Sequence, residues 1–405
     1  MFGRVAKNTI YQGLAKATSV VFTLLITILL TGYLGKEGYG RYVYVLTAAM
    51  LLGNLTDWGT ATIGVRELAK SKKPVELFGE ILGLRLGLSL IVGGGVVAGW
   101  GLGGSSFLPW MAILAFLTAT RNSLGLVFQA RLQTNWLIPA EAASGLVSLG
   151  LIYFFVRHQG NLVTILAATA GAGGVAVLVN YFLARRQINF SWRFNWLKWR
   201  VLLNEAAPMG LILLTFTAVN KIDTLILAHL QGSAAVGVYG LSYRVYDVLV
   251  LAAAYVMNGV MPLIARNRGN PDNKTTRLLV KKTFWALLIL GGIMVLVVLP
   301  TAPLIVKILT QKRFLEFSPA VGILRVLTLA AFLAYFNHLT GYTLVALGRQ
   351  RQYLRVPLMA LAVNILLNFY FIPRYSFWAA AWITVMTESL TLLISAGYLY
   401  RVLKK

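Results

Sequence analysis

The sequence predicts an all-α polytopic membrane protein, and its composition is the first reason. Hydrophobic residues make up 58% of the 405 residues and charged residues only 12%, whereas soluble domains carry about 25% charged residues. The mean hydropathy is +0.73. Apolar runs of about 20 residues, the length that spans a bilayer as a helix, recur along the whole chain.

The apolar runs divide into about 12 predicted membrane-spanning helices of this length. The first run follows a basic N-terminal stretch without a small-residue cleavage site, so we expect a retained helix rather than a signal peptide. No connection between runs is long enough for a soluble domain. The predicted spans are residues 10–33, 41–64, 78–100, 107–130, 136–156, 162–184, 205–230, 236–264, 280–306, 318–347, 353–373 and 377–401.

The basic residues predict the orientation of these spans. An even number of spans places both termini on one side of the membrane, and most Lys and Arg residues fall in the loops on that side. Cytoplasmic loops collect Lys and Arg, so we expect the cytoplasmic (inner) membrane with both termini in the cytoplasm. The same bias accounts for the net charge of +25, and we expect no nucleic-acid partner.

A half-length repeat organises the chain. The segment TGYLGKEGYGRYVYVL, Thr31–Leu46, resembles AHLQGSAAVGVYGLSYRV in the second half, with Gly35 matching Gly232 and Gly40 matching Gly237. The two copies lie about half a chain length apart, and half-length repeats of membrane helices are typical of transporters.

The connection between the halves mixes aromatic and basic residues. The segment ARRQINFSWRFNWLKWR, Ala184–Arg200, interleaves Trp192, Trp196 and Trp199 with cations, which is typical of a segment lying on an anionic leaflet. The commoner role is a linker anchored by its aromatic residues. The alternative is a surface that attracts acidic lipid head groups.

The sequence lacks the residues that several kinds of chemistry require. The chain has no Cys, which excludes disulfides, thiolate catalysis and Cys-based metal sites. Its three His residues are scattered without the spacing of a metal site, and no GxxxxGK[ST] phosphate loop is present. We therefore expect no metal, no cofactor and no enzymatic activity.

Four segments resemble a known family. They are YLGKEGYGRY, LTDWGTATIGVRELAK, the stretch from Pro208 through NKIDTLILAHLQGSAAVGVYG, and NFYFIPRYSFWAAAWITVMTE. Together they resemble the polysaccharide-export (Wzx-like) lipid-linked oligosaccharide flippases of the multidrug/oligosaccharidyl-lipid/polysaccharide exporter superfamily. Ser376 and Trp378 stand where the last motif of the family usually has glycines, so we expect altered packing of the final helices.

The resemblance implies two six-helix lobes, related by a pseudo-twofold axis, around a central cavity that opens alternately to each side. We expect an N-terminal lobe over residues 1–184, a basic aromatic cytoplasmic linker over 185–204 and a C-terminal lobe over 205–405. The resemblance also implies a polyprenyl-diphosphate-linked glycan as cargo, within the lipid bilayer, and partners among the polysaccharide polymerase and chain-length machinery.

Cations inside the predicted spans are candidates for binding this cargo. Its diphosphate must cross roughly 30 Å of hydrocarbon. Arg can bind a phosphate through two parallel hydrogen bonds, and Lys offers it a strong point charge. The intramembrane cations are Lys16, Arg85, Arg121, Lys221, Arg244 and Arg325. We predict a cationic substrate-binding cavity formed by Arg121, Lys221, Arg244, Arg325 and Lys16.

Alternative roles stay open for some of these cations. Lys16 and Arg85 lie near predicted inner span ends and can snorkel to the interface, which is the commoner outcome for Arg85. Arg244 can pair with Asp247 one turn later.

Lys221 and Asp223 are two residues apart and cannot point the same way on a helix. At least one of them therefore needs a partner on another helix, and the segment holding Arg244 and Asp247 can supply it.

Intramembrane acids are candidates for coupling to a proton or cation, because one charge moved across about 100 mV is worth roughly 2.3 kcal/mol. We predict Asp223, Asp247 and Asp57 in this role, although Asp57 can also cap a helix or pair locally. For Glu141 and Glu388, packing and coupling both stay open. The intramembrane asparagines can bind sugar hydroxyls or, more commonly, bridge helices; they are Asn220, Asn337, Asn364 and Asn368.

We considered four functions for a protein with these patterns, and the flippase agrees with them best. A flippase by alternating access fits the cations, which outnumber the acids in the spans. An ion-coupled multidrug exporter of the same superfamily would favour an acidic cavity. A membrane glycan polymerase or ligase needs an acid or base near a sizeable outer loop, and the predicted outer turns are short. A non-transporting scaffold would leave the buried cations unexplained.

Overall fold

The computed structural model describes residues 2–71, 73–101, 105–190, 194–266 and 274–404, with the backbone alone for residues 2–10 and 69–70. Trp192 of the aromatic connection lies outside these residues. All regular elements in the described part of the chain are helical, with short 3-10 segments at Thr134–Trp136 and Gln311–Phe317. The α-helices are α1 Phe2–Asp57, α2 Thr60–Lys70, α3 Pro74–Gly101, α4 Leu108–Ala130, α5 Leu137–Arg157, α6 Leu162–Gln187, α7 Trp196–Gln231, α8 Ser233–Ala265, α9 Lys274–Thr310, α10 Pro319–Ala346 and α11 Gln350–Lys404.

These helices confirm the predicted all-α membrane fold. In the described chain, 10 helices are long and apolar enough to cross a bilayer. Helix α1 contains a break at Gly35 (φ 66°) and helix α11 a break at Ser376 (φ 51°). Because each break separates two predicted spans, the long helices account for all the predicted spans.

The prediction of one continuous helix over the second span, residues 41–64, is wrong. Helix α1 ends at Asp57 and α2 begins at Thr60, because Trp58 (φ 45°) and Gly59 (φ 75°) both have left-handed backbone conformations that end a right-handed helix. A Cβ atom on Gly59 would lie 2.4 Å from the backbone nitrogen of Gly210 in α7. The corner therefore needs glycine for both its conformation and its close approach to α7.

The break in α11 falls at Ser376, one of the two residues that depart from the last family-like motif. Ser376 has φ 51° and ψ −135°, a conformation that glycine adopts without a steric penalty and that other residues rarely adopt. The serine therefore occupies a glycine-type backbone position and carries the strain of its Cβ atom there.

The chain forms two compact units. Unit 1 comprises the described residues up to Tyr33 together with Tyr42–Thr217, and unit 2 comprises Leu34–Arg41 and the described residues from Ala218 onward. In unit 1, α4 packs against α2, α3 and α6, and α5 packs against α6. In unit 2, α10 packs against α8, α9 and α11. The lobe boundaries at residues 184 and 205 stay a prediction.

The predicted half-length repeat has a structural counterpart at its two matched glycines. Gly35 has φ 66° and ψ −175°, and Gly232, which precedes α8, has φ 79° and ψ 179°. The same backbone conformation, which strongly favours glycine, therefore recurs at the matched positions of the two copies.

The second matched pair makes a reciprocal contact inside unit 2. A Cβ atom on Gly40 would lie 1.7 Å from the carbonyl oxygen of Ser233, and a Cβ atom on Gly237 would lie 1.9 Å from the carbonyl oxygen of Lys36. Ser233 and Lys36 each directly follow the first glycine of their copy. The two copies therefore touch each other through equivalent residues, and such a reciprocal contact is the pattern that a pseudo-twofold relation produces.

We predict that Gly237→Ala lowers the free energy of unfolding by about 1–3 kcal/mol, because the added methyl group overpacks a backbone contact. Thermal unfolding of the purified protein in one detergent, followed by tryptophan fluorescence, measures the change. Gly94→Ala is the matched control, since nothing lies within 4 Å of its Cβ position in α3. Equal unfolding temperatures for the two variants would contradict the contact.

Candidate functional site

The hairpin of α7 and α8 pairs two of the predicted charges. The Nζ atom of Lys221 donates to both carboxylate oxygens of Asp247, at 3.0 and 2.9 Å. The same Nζ atom lies 4.2 Å from the centre of the Tyr243 ring. The partner that Lys221 was expected to need on another helix is therefore Asp247 of α8, and the ammonium group has both an ionic and an aromatic contact.

Asp223 is buried two residues further along α7. Its carboxylate accepts a hydrogen bond from the hydroxyl of Tyr239 and another from the backbone N–H of Thr224, at 2.6 Å. The Tyr239 hydroxyl also lies 3.3 Å from Oγ1 of Thr384, in the second part of α11. Hydrogen bonds from neutral donors satisfy this carboxylate in the interior of unit 2.

A second carboxylate lies on α11. Glu388 accepts a hydrogen bond from the hydroxyl of Tyr246, at 3.0 Å, and one from Nδ2 of Asn337 in α10, at 2.5 Å. Asn337 also donates to the backbone carbonyl of Glu388, at 2.8 Å. Glu388 and Asn337 therefore join α10 and α11, and this asparagine acts as a bridge between helices.

A row of tyrosines on α8 joins the two carboxylates. We call Tyr239, Tyr243 and Tyr246 the tyrosine ladder; successive ring centres lie 5.4 and 4.9 Å apart. Its first hydroxyl contacts Asp223 and its last contacts Glu388. We did not predict the ladder from the sequence, although the spacing of YGLSYRVY places the three rings on one helix face.

Arg121, in α4 of unit 1, has a carboxylate partner on the next helix. Its guanidinium donates to Oε1 of Glu141 in α5. The arginine side chain is 33% exposed and the glutamate side chain 15% exposed. This pair compensates the charge at membrane depth, and a third of the arginine side chain stays exposed.

The snorkelling expected for Arg85 is wrong. Its side chain is 1% exposed, and Nη1 donates to Oδ1 of Asp57 at 3.3 Å. The same oxygen accepts the backbone N–H of Ala61, at 2.9 Å, in the first turn of α2. Asp57 therefore both caps α2 and neutralises a buried arginine, because the corner at Trp58 and Gly59 turns α2 back over its carboxylate.

The remaining predicted cations have different surroundings. Lys16 in α1 is exposed, and Arg244 in α8 is half-buried. Arg325 in α10 is exposed, and its Nε atom donates to the carbonyl of Leu299 in α9, at 3.2 Å. That carbonyl has no helical partner because Pro303, four residues later, lacks an N–H. Arg325 thus has a defined structural role.

The predicted site residues divide between the two compact units. Lys221, Asp223 and Asp247 share the polar interior of unit 2 with the tyrosine ladder, whereas Arg121, Lys16 and Asp57 belong to unit 1. A single cationic cavity lined by all the predicted cations stays a prediction. In the described residues, no group of three or more His, Cys, Asp or Glu is placed to hold a metal ion.

Solved structures share this fold. A solved structure described as the inward-facing conformation of a multidrug resistance MATE family transporter of the MOP superfamily aligns with a TM-score of 0.75 and 14% identity, over 96% of each chain. A MOP superfamily transporter from Pyrococcus furiosus aligns with a TM-score of 0.67 and 14% identity, over 99% of this chain and 96% of that one. The chain therefore has the fold of MOP superfamily transporters.

Family comparison narrows this class. The family described as "Polysaccharide biosynthesis protein" matches residues 5–268, and the family described as "MatE" matches residues 208–370. The first match covers more than half of the chain, so the protein belongs to the polysaccharide biosynthesis protein family. "Probable multidrug resistance protein NorM" of Acinetobacter baylyi is 27% identical over 217 residues, which are 51% of this chain but only 44% of that protein.

We predict that Asp57→Asn destabilises unit 1 by about 3–5 kcal/mol, because it leaves the buried Arg85 charge without a partner. Asparagine can still cap α2, so the loss reports the ion pair. The double variant Asp57→Asn/Arg85→Met should recover most of the loss in a thermal unfolding measurement.

Glu37→Gln is the matched control for this measurement, because Glu37 pairs with Arg41 on the surface and exposed pairs contribute little. If Asp57→Asn unfolds at the wild-type temperature, the pair with Arg85 does not have the importance that its burial indicates.

Proposed function

We propose that the protein is a flippase that moves a polyprenyl-diphosphate-linked oligosaccharide, the repeat unit of an O-antigen, capsule or exopolysaccharide, from the inner to the outer leaflet by alternating access. Membership of the polysaccharide biosynthesis protein family and the fold of a transporter superfamily support this function. The observation that carries it is the partly exposed side chain of Arg121 at membrane depth, paired with Glu141. The product would then pass to the polysaccharide polymerase and chain-length machinery.

Arg121 can exchange its partner for the cargo. Glu141 neutralises the guanidinium in the structure, and a bare charge at that depth would be costly. A diphosphate carries more negative charge than a carboxylate and offers the same bidentate geometry. The cargo can therefore replace Glu141 without leaving the arginine uncompensated at any stage.

The pair in unit 2 can work in the same way. Lys221 is mostly buried, but the Asp247 side chain is 40% exposed, so Asp247 can move away when a phosphate approaches. The displaced carboxylate then needs a proton or a cation, because an unneutralised charge is costly within the membrane. Substrate binding and ion uptake are linked in this scheme, and Asp223 and Asp247 are its coupling residues.

Asp57 is the weakest of the three coupling candidates. Its carboxylate already caps α2 and neutralises Arg85, and releasing it would strand a buried arginine. These contacts favour a structural role for Asp57.

An ion-coupled multidrug exporter is the second candidate function. Unit 2 holds the carboxylates of Asp223 and Glu388 in addition to the Lys221–Asp247 pair, which suits a cationic ligand better than a phosphate. The similarity to NorM points the same way. For the Pyrococcus furiosus transporter, a reversed polarity of the binding pocket is described as suggesting a different function, so charge is the property to test.

We predict that the protein, reconstituted in liposomes, accelerates leaflet exchange of a fluorescent polyprenyl-diphosphate oligosaccharide. Arg121→Ala and Arg244→Ala should each slow this exchange at least about tenfold, the loss expected when one charge-assisted contact of about 1.4 kcal/mol or more is removed. Protection of the fluorophore from an impermeant quencher measures the exchange, with and without H⁺ and Na⁺ gradients.

Two controls separate transport from folding. Arg41→Ala removes a cation that pairs with Glu37 on the surface and should leave the rate unchanged. Arg121→Gln/Glu141→Gln removes the pair without stranding either charge, and should fold normally yet transport poorly. Movement of cationic dyes in place of the lipid-linked glycan would reject the flippase and support the exporter.

A further inference from the structure

The start of α7 exposes an apolar and aromatic face. The side chains of Trp196 and Leu197 are 63% and 76% exposed, and Phe194 and Val201 are also exposed. Arg200 lies one turn after Trp196 on the same side of the helix. This face combines large apolar groups with a cation, and it belongs to the part of the chain that precedes the predicted seventh span.

The opposite face is firmly attached to unit 1. The Trp199 ring is buried and lies 4.6 Å, centre to centre, from the Phe194 ring. Nζ of Lys198 donates to Oε1 of Glu80 in α3 at 2.6 Å, and this glutamate is buried. Ile188, earlier in the connection, is part of the hydrophobic core. The exposed face is therefore held in a fixed position rather than carried on a loose linker.

Two arginines precede the exposed face in the sequence, at the end of α6. The Arg185 guanidinium lies 5.3 Å from the Tyr181 ring centre and 5.2 Å from the Phe190 ring centre, which fixes its position over both rings. Arg186 is exposed. Residues 185–201 include no Asp or Glu, and the acidic groups packed nearest along α7 and α3 are paired: Glu205 with Arg66, and Glu80 with Lys198.

We propose that the exposed face at the start of α7 and the two arginines at the end of α6, which are Arg185 and Arg186, form a docking surface for the anionic phospholipids of the bilayer. Phe194, Trp196 and Leu197 enter the boundary between head groups and acyl chains, where aromatic side chains are favoured. Arg185, Arg186 and Arg200 bind the lipid phosphates. The charge complementarity selects an anionic leaflet over a neutral one, and the proposal does not depend on the identity of the cargo.

The absence of Cys from the sequence makes a direct test possible. Leu197→Cys introduces one site for a nitroxide spin label, whose accessibility to oxygen and to a water-soluble nickel chelate reports its depth in the bilayer. The labelled full-length protein is reconstituted in vesicles of phosphatidylcholine alone, or of phosphatidylcholine and phosphatidylglycerol in equal amounts.

We expect the ratio of oxygen to nickel accessibility to rise about twofold or more in the anionic vesicles, because the surface potential attracts the cations. Adding Arg185→Gln, Arg186→Gln and Arg200→Gln should abolish this rise. Leu296→Cys in α9, an exposed residue away from the docking surface, is the control and should respond neither to lipid charge nor to the Arg changes.

Two results would overturn the proposal. A label that stays accessible to water in both vesicle types would show that the docking surface does not enter the bilayer. A label equally deep in both types, and indifferent to the three Arg→Gln changes, would show that the aromatic residues anchor the docking surface without any preference for anionic lipid.

Discussion

The cost of a charge at membrane depth is the constraint on which this structure depends. An ionised side chain in hydrocarbon needs a partner, and the chain supplies one from a different helix in three cases. Arg85 on α3 pairs with Asp57 at the end of α1, Arg121 on α4 pairs with Glu141 on α5, and Lys221 on α7 pairs with Asp247 on α8. Each pair fixes two helices relative to each other.

The pairs differ in what they allow, and burial is the reason. The Arg85–Asp57 pair is closed, meaning inaccessible to a new partner, because the arginine is almost fully buried and the aspartate also caps α2. The Arg121–Glu141 pair leaves a third of the arginine accessible. Removing one partner from a closed pair costs stability, whereas an accessible pair can exchange its partner. The same electrostatic rule thus separates structural pairs from candidates for transport.

Much of the fold could be predicted from the sequence. Apolar length located the spans, and the matched glycines located the repeat, because Gly35 and Gly232 have a backbone conformation that few other residues adopt. The spacing of Lys221 and Asp223 on one helix required a partner elsewhere, which proved to be Asp247. These inferences depend only on local geometry and the properties of the bilayer.

The rest depended on contacts that local patterns do not encode. The pairing of Arg85 with Asp57 depends on the corner at Trp58 and Gly59. The length of the apolar run predicts one continuous span there and gives no sign of the corner. The hydrogen bond from Arg325 to Leu299 follows from a proline on a neighbouring helix. The tyrosine ladder has a readable spacing, but its carboxylate partners come from distant parts of the chain. The roles of the cations in binding cargo stay predictions.

We propose that a diphosphate head group replaces the carboxylate of Glu141 as the partner of Arg121. The most direct measurement is the unfolding temperature of the purified protein with a short-chain polyprenyl diphosphate, the corresponding polyprenol, or a cationic drug, since a ligand that binds the folded state stabilises it. We expect stabilisation by the diphosphate alone, and the loss of this stabilisation in Arg121→Gln/Glu141→Gln. Equal stabilisation by the uncharged polyprenol, or stabilisation by the cationic drug only, would contradict it.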